Sequence, residues 1–268
     1  MEKPFVLVAI PFKGEIPLLV EAVSSIMNSY VSGFSYAIVL WDDGSTDEEL
    51  NQLWNTVPKN MPILKHANVG YTKAMSGIFD MAKNDPQFHY LLVCNSDVKF
   101  HTGSFHAMTK RLMQNPNFAA VGCKVLKWGT DVIQHTGTRL GDDGTPEHKI
   151  KVVDPYCGLH KDDPRTMHVE RRLWANGCCV MYNLDILRKL GINFDMEFTP
   201  AYFEEADLMT KLNFLGHPVL YEPRAVIEHV VNASMNKERE KNEKVFWANW
   251  NKYLQKWGPY FNSKQLQF

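Results

Sequence analysis

Residues 35–50, SYAIVLWDDGSTDEEL, run from an apolar strand pattern through a turn at Asp42-Asp43-Gly44 into a helix start. Ser45 or Thr46 can cap that helix, and Asp47, Glu48 and Glu49 suit its positive end. Upstream, FVLVAIPF (5–12) is a near-continuous β-branched and apolar run, as expected of a strand covered on both faces. IPLLVEAVSSIMNS (16–29) then carries Leu18, Val20, Val23, Ile26 and Met27 at helical spacing. Downstream, PILKH (62–66), YTKAMSGIFDMAKN (71–84) and FHYLLVCN (88–95) read as strand, helix and strand. This alternation predicts an α/β fold with a mostly parallel, Rossmann-like central sheet flanked by helices.

Beyond residue 100 the pattern changes. GSFHAMTKRLMQNP (103–116) reads as a helix with an Asn-Pro stop, and FAAVGCKVL (118–126) as a strand. Residues 128–172 have weak periodicity and many Gly, Asp, His, Pro and basic residues, which predicts irregular loop and hairpin. Strand character returns in WANGCCVMYN (174–183) and PVLYEPRAVIEHVV (218–231). The end of the chain is charged, then aromatic: Phe246, Trp247, Trp250, Tyr253, Leu254 and Trp257 recur at helical spacing. The expected product is a C-terminal helix that docks by this stripe, against its own core or in a homo-oligomer.

Composition narrows the class. The chain has 268 residues and is 45% hydrophobic, enough for a substantial core. A net charge of -1 offers no bulk attraction to nucleic acid or anionic membrane. The five cysteines are odd in number and several lie in apolar runs, so a reducing, cytoplasmic setting is expected rather than a disulfide framework. No apolar run reaches the ~18–20 residues that span a bilayer, and the N-terminus lacks a signal-peptide layout.

The chemistry lies in acids at strand ends. In open α/β sheets ligands bind where loops leave the carboxyl ends of strands, and two predicted strands end there in acids: Asp42 and Asp43 in the first stretch, Asp97 in YLLVCNSDVKF (90–100). Asp-Asp-Gly-Ser is also ordinary turn chemistry; the two acidic ends on one sheet edge point to nucleotide binding with a divalent cation. Mg²⁺ or Mn²⁺ takes oxygen ligands from few carboxylates and completes its shell with phosphate oxygens. Asp97 is placed to hold it, Asn95 to bond a ribose hydroxyl, and Asp43 to accept from a base N–H. In TPAYFEEADLMTKLNFLGHP (199–218), Leu208, Leu212 and Leu215 form a buried stripe flanked by Glu204 and Glu205, while Asp207 turns away from Glu205. The glutamates either complement the helix dipole or supply a general base. His229, among apolar residues, is either a satisfied core histidine or a ligand for Mn²⁺.

Taken in order, these segments resemble family-2 glycosyltransferases of the GT-A fold, particularly rhamnosyltransferase-like bacterial and phage members. The segments that carry the resemblance are VLVAIPFKG, IVLWDDGSTDE, HANVGYTKAMSGIFDMA, CNSDV, WANGCCVMYNLDILRKLGINFDMEF, AYFEEADLMTKLNFLGH and YEPRAVIEHVVNAS, with NWNKYLQKWG at the end. The resemblance implies a nucleotide-sugar donor, a UDP-sugar foremost, bound by Pro11, Asp42, Asp43, Lys73, Asn95 and Ser96. Asp43 would contact the base, Asp42 would support the turn, and Lys73 would reach the diphosphate. Asp97 would bind the metal and His229 would complete its coordination. Glu205 would be the base, Glu204 would orient the acceptor, and the reaction would be inverting. Residues 1–100 would form the nucleotide-sugar half, 101–230 the acceptor-binding and catalytic half of the same domain, and 231–268 a C-terminal helical extension.

The chain departs from the family pattern at three places. Asn95 stands for the first Asp of Asp-x-Asp, Glu205 for the catalytic Asp, and Phe12-Lys13 for Thr-Tyr. A sugar nucleotidyltransferase would need a Gly-rich phosphate loop near the first strand, and PFKGEIP has a single Gly. A non-catalytic glycan-binding or subunit-pairing domain would not need the acidic pair and His229. Trp128, His135, Arg139, His148 and Trp174 are expected to frame the acceptor, whether glycan, protein, lipid-linked glycan or modified nucleobase.

Overall fold

The computed structural model describes residues 3–142, 150–230 and 239–261; His148 lies outside them. In chain order the elements are β1 (Phe5–Phe12), α1 (Ile16–Met27), β2 (Ser35–Asp43), α2 (Asp47–Thr56), β3 (Ile63–His66), α3 (Tyr71–Asn84), β4 (Tyr90–Cys94), β5 (Val98–Phe100) and α4 (Ser104–Gln114). They continue as β6 (Ala120–Lys127), β7 (Ile133–His135), β8 (Arg139–Asp142), β9 (Ile150–Val153), β10 (Glu170–Arg172), β11 (Cys179–Asn183), α5 (Leu184–Leu190), α6 (Glu204–Phe214), β12 (Val219–His229) and α7 (Arg239–Phe261).

The main sheet runs β10-β12-β6-β11-β4-β1-β2-β3, with β5 paired to β12 and β7 to β6. Strands β3, β2, β1 and β4 are parallel. Antiparallel β11 then separates β4 from β6, and β12 pairs parallel with β6. The alternating side chains of β1 enter opposite layers: Val6, Val8 and Ile10 pack with α1, α2 and α4, whereas Leu7 and Ala9 pack with α3, α5 and α6. Burial on both faces is why the sequence of this strand is uniformly apolar rather than alternating.

Local signals behave as the residues dictate. Thr46, not Ser45, caps α2; its side chain accepts from Glu49 N while the Glu49 carboxylate accepts from Thr46 N, a full capping box. Within the region 128–172 the described residues form the short β8–β9 pair and two three-residue strands of the main sheet, β7 and β10, with irregular chain between them. Two expected stripes are corrected. In α1 the buried face is Ile16, Leu19, Ala22, Val23 and Ile26, while Met27 is 44% exposed; Leu18 and Val20 are half-buried at the border of that face, with Val20 still packed against the core. Leu215 is exposed as well, because α6 has already ended at Phe214 and Gly216 turns the chain away.

The C-terminal helix docks on its own chain. Tyr253, Trp257 and Phe261 form a small core with Leu173, Phe198 and Ala206, leaving Trp247 and Leu254 outward. Polar pins fix it: Trp257 Nε1 donates to Asp207 Oδ1 at 2.7 Å, and Asn249 Nδ2 donates to the carbonyls of Phe198 and Ala201, each at 2.8 Å.

Candidate active site

A cavity of roughly 630 Å³ opens at the carboxyl edge of the sheet. Its wall combines Asn95 and Asp97 after β4, His229 at the end of β12, and Glu204 and Glu205 at the start of α6. Five of the expected site residues therefore meet in one space. His135 and Trp174, expected to frame the acceptor, line the same cavity, whereas Trp128 and Arg139 do not.

Asp97 and His229 are joined by main chain as well as by side chain. β5 pairs with the end of β12, setting His229 opposite Val98, and Val230 N donates to Asp97 O at 3.1 Å. A register shift between Glu222 and Val226 permits this late pairing. Asp97 is 8% exposed, and its Oδ1 makes no hydrogen bond while lying 3.3 Å from His229 Nε2. A buried carboxylate oxygen without a donor needs an explanation. The other imidazole nitrogen, Nδ1, sits 3.0 and 3.3 Å from the two amide atoms of Gln134. With Nδ1–H donating to Gln134 Oε1, Nε2 is left as a free lone pair beside the Asp97 oxygen. Carboxylate oxygen and imidazole nitrogen, the latter oriented by an amide behind it, form a donor set that suits a divalent cation. Among the described residues no group of three or more His, Cys, Asp or Glu side chains could hold a metal ion. A cation at this point would have two protein ligands and room for phosphate oxygens.

The glutamate pair is enclosed rather than solvated. Glu204 is 1% exposed and Glu205 9%. Thr72 Oγ1 donates to Glu204 Oε2 at 3.4 Å. Burial, then the neighbouring Glu205, push the Glu204 carboxyl well above the ordinary range, which favours its protonated form. Burial and then the two glutamates likewise push the Tyr71 phenol up; its hydroxyl donates to Asn95 Oδ1 at 3.3 Å. Gly177 makes room for the pair: a Cβ there would lie 2.6 Å from Glu205 Oε1 and 2.8 Å from its Cδ. Asp207, the third acid of this helix start, points elsewhere and binds Trp257 Nε1 and Lys256 Nζ, the latter at 2.8 Å.

The remaining candidates stand outside the cavity lining. Asp42 is fully buried and accepts from Ser45 N at 2.9 Å, holding the turn as expected. Both Asp43 oxygens face backbone amides, Val69 N at 2.9 Å and Gly70 N at 3.3 Å, which ties the end of β2 to the start of α3. Pro11 is buried in β1, Ser96 is half-buried and Lys73 is exposed. Sequence reading passed over Tyr71, Gln134, Asn176 and Tyr202, and placed Phe246 only in the docking stripe of the C-terminal helix; all five line the cavity. Gly177 had a signal in the small residues of ANGCC; Gln134 had none, being in a three-residue strand inside an aperiodic region.

The model of the family described as glycosyl transferase family 2 matches residues 7–168. No curated protein sequence matches the chain. Among solved structures, GalNAc-T7 with UDP, GalNAc and Mn²⁺ aligns with a TM-score of 0.63 at 17% identity, over 85% of this chain and 44% of that one. The mannosyltransferase PcManGT from Pyrobaculum calidifontis, in complex with GDP-Man and Mn²⁺, aligns with a TM-score of 0.56 at 16% identity, over 87% of this chain and 59% of that one. The chain thus spans about half the length of these proteins; at such identities they speak for the fold, which is GT-A. By the extent of the family match, the chain belongs to glycosyl transferase family 2.

Proposed function

We propose that the protein moves a sugar from a nucleotide-sugar donor to an acceptor hydroxyl by a single, metal-dependent, inverting displacement. The observation that carries this reading is the convergence in one cavity of the unpartnered Asp97 oxygen, His229 Nε2 and the inward-facing Glu204–Glu205 pair. The ligands named for the two GT-A structures, a nucleoside diphosphate or nucleotide sugar with Mn²⁺, support a donor of this class and a divalent cation, Mn²⁺ or Mg²⁺.

In this reading Asp97 and His229 hold the cation, which when bound offsets the charge that develops on the departing diphosphate. Asn95 bonds the ribose, Pro11 and Ser96 border the nucleoside side, and Asp42 and Asp43 hold the turns that shape it, a UDP-sugar being the first donor to test. Lys73 is exposed at the first turn of α3 and free to reach toward the phosphates. Glu205 takes the proton from the attacking hydroxyl. Glu204, protonated, steadies the Glu205 carboxylate and the acceptor beside it. Enclosure by protein raises the worth of each of these contacts over its value in water. All five cysteines are free thiols, which fits a cytoplasmic setting. A homo-oligomer would have to use the outward residues of α7, Trp247 and Leu254, since the inward face is already buried.

Calorimetric titration of the 268-residue protein with UDP and GDP, with and without Mn²⁺, followed by NMR of the product anomer, tests the reading. Mn²⁺-dependent binding and an inverted anomer are expected. Affinity indifferent to Mn²⁺, or a retained anomer, would overturn it.

A further inference from the structure

Immediately before the glutamate pair the chain does something costly. Tyr202 and Phe203 are consecutive non-glycine residues with φ of 77° and 70°. Residues other than glycine are strained in this left-handed region and persist there only where surrounding contacts over-determine them. Here the contacts come from α7: the buried Asn249 amide gathers the carbonyls of Phe198, Ala201 and Tyr202. The outcome is that both rings form part of the cavity wall, next to Glu204 and Glu205. Phe246 of α7 joins them on that wall, its ring 5.7 Å from Tyr202 and 5.0 Å from Phe203. Trp174, also lining the cavity, rests edge-on against Tyr253 of the same helix at 5.2 Å.

The polar groups of the same wall are neutral or acidic. Among the described lining residues there is no Lys or Arg; the acidic ones are Asp97, Glu204 and Glu205. His135 accepts from Gly137 N at Nδ1, 2.8 Å away, which leaves the proton on Nε2 as a hydrogen-bond donor. Asp154 Oδ2 lies 3.3 Å from the same Nδ1, but Asp154 already accepts from Thr136 and Tyr156. Burial, with help from Arg172, keeps that ring neutral. Gln134 and Asn176 add uncharged amides. Flat apolar faces bordered by a few uncharged donors and acceptors match a sugar ring, with its C–H faces and equatorial hydroxyls. They do not match a polyanion, which would need cations in the wall.

We propose that Tyr202, Phe203, Phe246 and Trp174 form an acceptor subsite for a neutral saccharide, and that the strained turn held by α7 exists to present these rings beside the base. The proposal rests on the glycosyl-transfer reading above and names its acceptor class. Trp247, half exposed and 5.4 Å edge-on from Phe246, continues the aromatic surface outward, where a second sugar of an oligosaccharide would lie.

The test uses the 268-residue protein with Mn²⁺, the donor found by calorimetry, and a panel of methyl hexosides and neutral disaccharides, with a polyprenyl phosphate and a single-stranded RNA as rival acceptors. Transfer to a neutral saccharide is expected. Phe246→Leu and Tyr202→Asn should each raise the acceptor KM about tenfold while the Mn²⁺-dependent affinity for the nucleoside diphosphate is kept. Tyr202→Asn should also hold or raise Tm, because Asn tolerates the left-handed region better than Tyr; stability held while acceptor KM rises marks a binding role rather than a structural one. Unchanged acceptor KM in both variants would overturn the proposal, as would transfer confined to the polyprenyl phosphate or the RNA. If the wild-type protein binds no nucleoside diphosphate, the glycosyl-transfer reading itself falls. If it binds one with Mn²⁺ but uses no neutral saccharide, only the subsite falls.

Discussion

The parallel side of the sheet, β3-β2-β1-β4, and its mixed side, where β11, β6, β12 and β5 meet, both end in acids, but the acids do different work. On the parallel side Asp42 closes on Ser45 N and Asp43 on the amides of Val69 and Gly70. These carboxylates hold backbone, and their partners are close neighbours along the chain or the next βα turn. On the mixed side Asp97 and His229 arrive from distant parts of the chain, and the Asp97 Oδ1 has no hydrogen-bond donor. An acid at a strand tip therefore says little alone. An oxygen left without a donor at a place where distant strands cross says much more, since burying such a group is unfavourable unless something binds it.

Substitutions at four positions can break or sharpen this contrast, the largest effect first. Glu205→Gln should lower kcat by about 10²–10⁴-fold with donor affinity retained, the usual worth of a general base; steady-state kinetics beside calorimetry reads both, and normal turnover would move the base elsewhere. Asp97→Ala should reduce the Mn²⁺-dependent affinity for nucleoside diphosphate by roughly 100-fold or more, since even groups behind the ligands are worth 10–100-fold in metal affinity. On the parallel side Asp43→Ala should act first on stability, lowering it by about 1–2 kcal/mol, and Asp43→Asn, which keeps one accepting oxygen, should recover most of the loss in urea denaturation.

The smallest effect is a slope. The Glu204 carboxyl is raised in the folded chain by burial and then by Glu205, so the native state binds a proton that the unfolded chain releases above about pH 4.3. Its stabilising contribution is complete below that pH and is lost as pH rises toward the folded-state value. Glu204→Gln cannot titrate, so its Tm should fall less steeply than that of the wild type from pH 5 upward. Parallel slopes would mean that Glu204 is ionised in the fold. Turnover of Glu204→Gln should remain far above that of Glu205→Gln, because an amide keeps the shape and a hydrogen-bond donor where the protonated acid stood.

Much of this was legible in the residues because it is local. β1, β2 and β4 follow from apolar runs and β3 from the short PILKH, and the α2 start follows from a four-residue capping pattern that any structure containing it would satisfy in the same way. In α1 spacing alone did not separate the buried face, Ile16, Leu19, Ala22, Val23 and Ile26, from its half-buried border at Leu18 and Val20, because more than one side of this helix is apolar. Gln134 was invisible for the opposite reason: its three-residue strand has no periodicity, and its importance arises only through the imidazole it meets. The aromatic wall was half visible. The stripe on α7 could be read, but that Phe246 would join Tyr202 and Phe203 at the cavity, while Tyr253 and Trp257 entered a core, could not.

The order of strands, the helices between them, and the acids at Asp42, Asp43, Asp97, Glu204 and Glu205 follow from the sequence by itself, because hydrophobic period and turn chemistry act over a few residues. Which of those acids holds backbone and which faces a ligand was decided only by the tertiary structure. That division depends on the late pairing of β12 with β5, on the absence of a side chain at Gly177, and on a C-terminal helix that occupies Asp207 and leaves Glu205 to the cavity. Each of these is a contact between segments far apart in the chain, and no local preference encodes which partner a carboxylate will find.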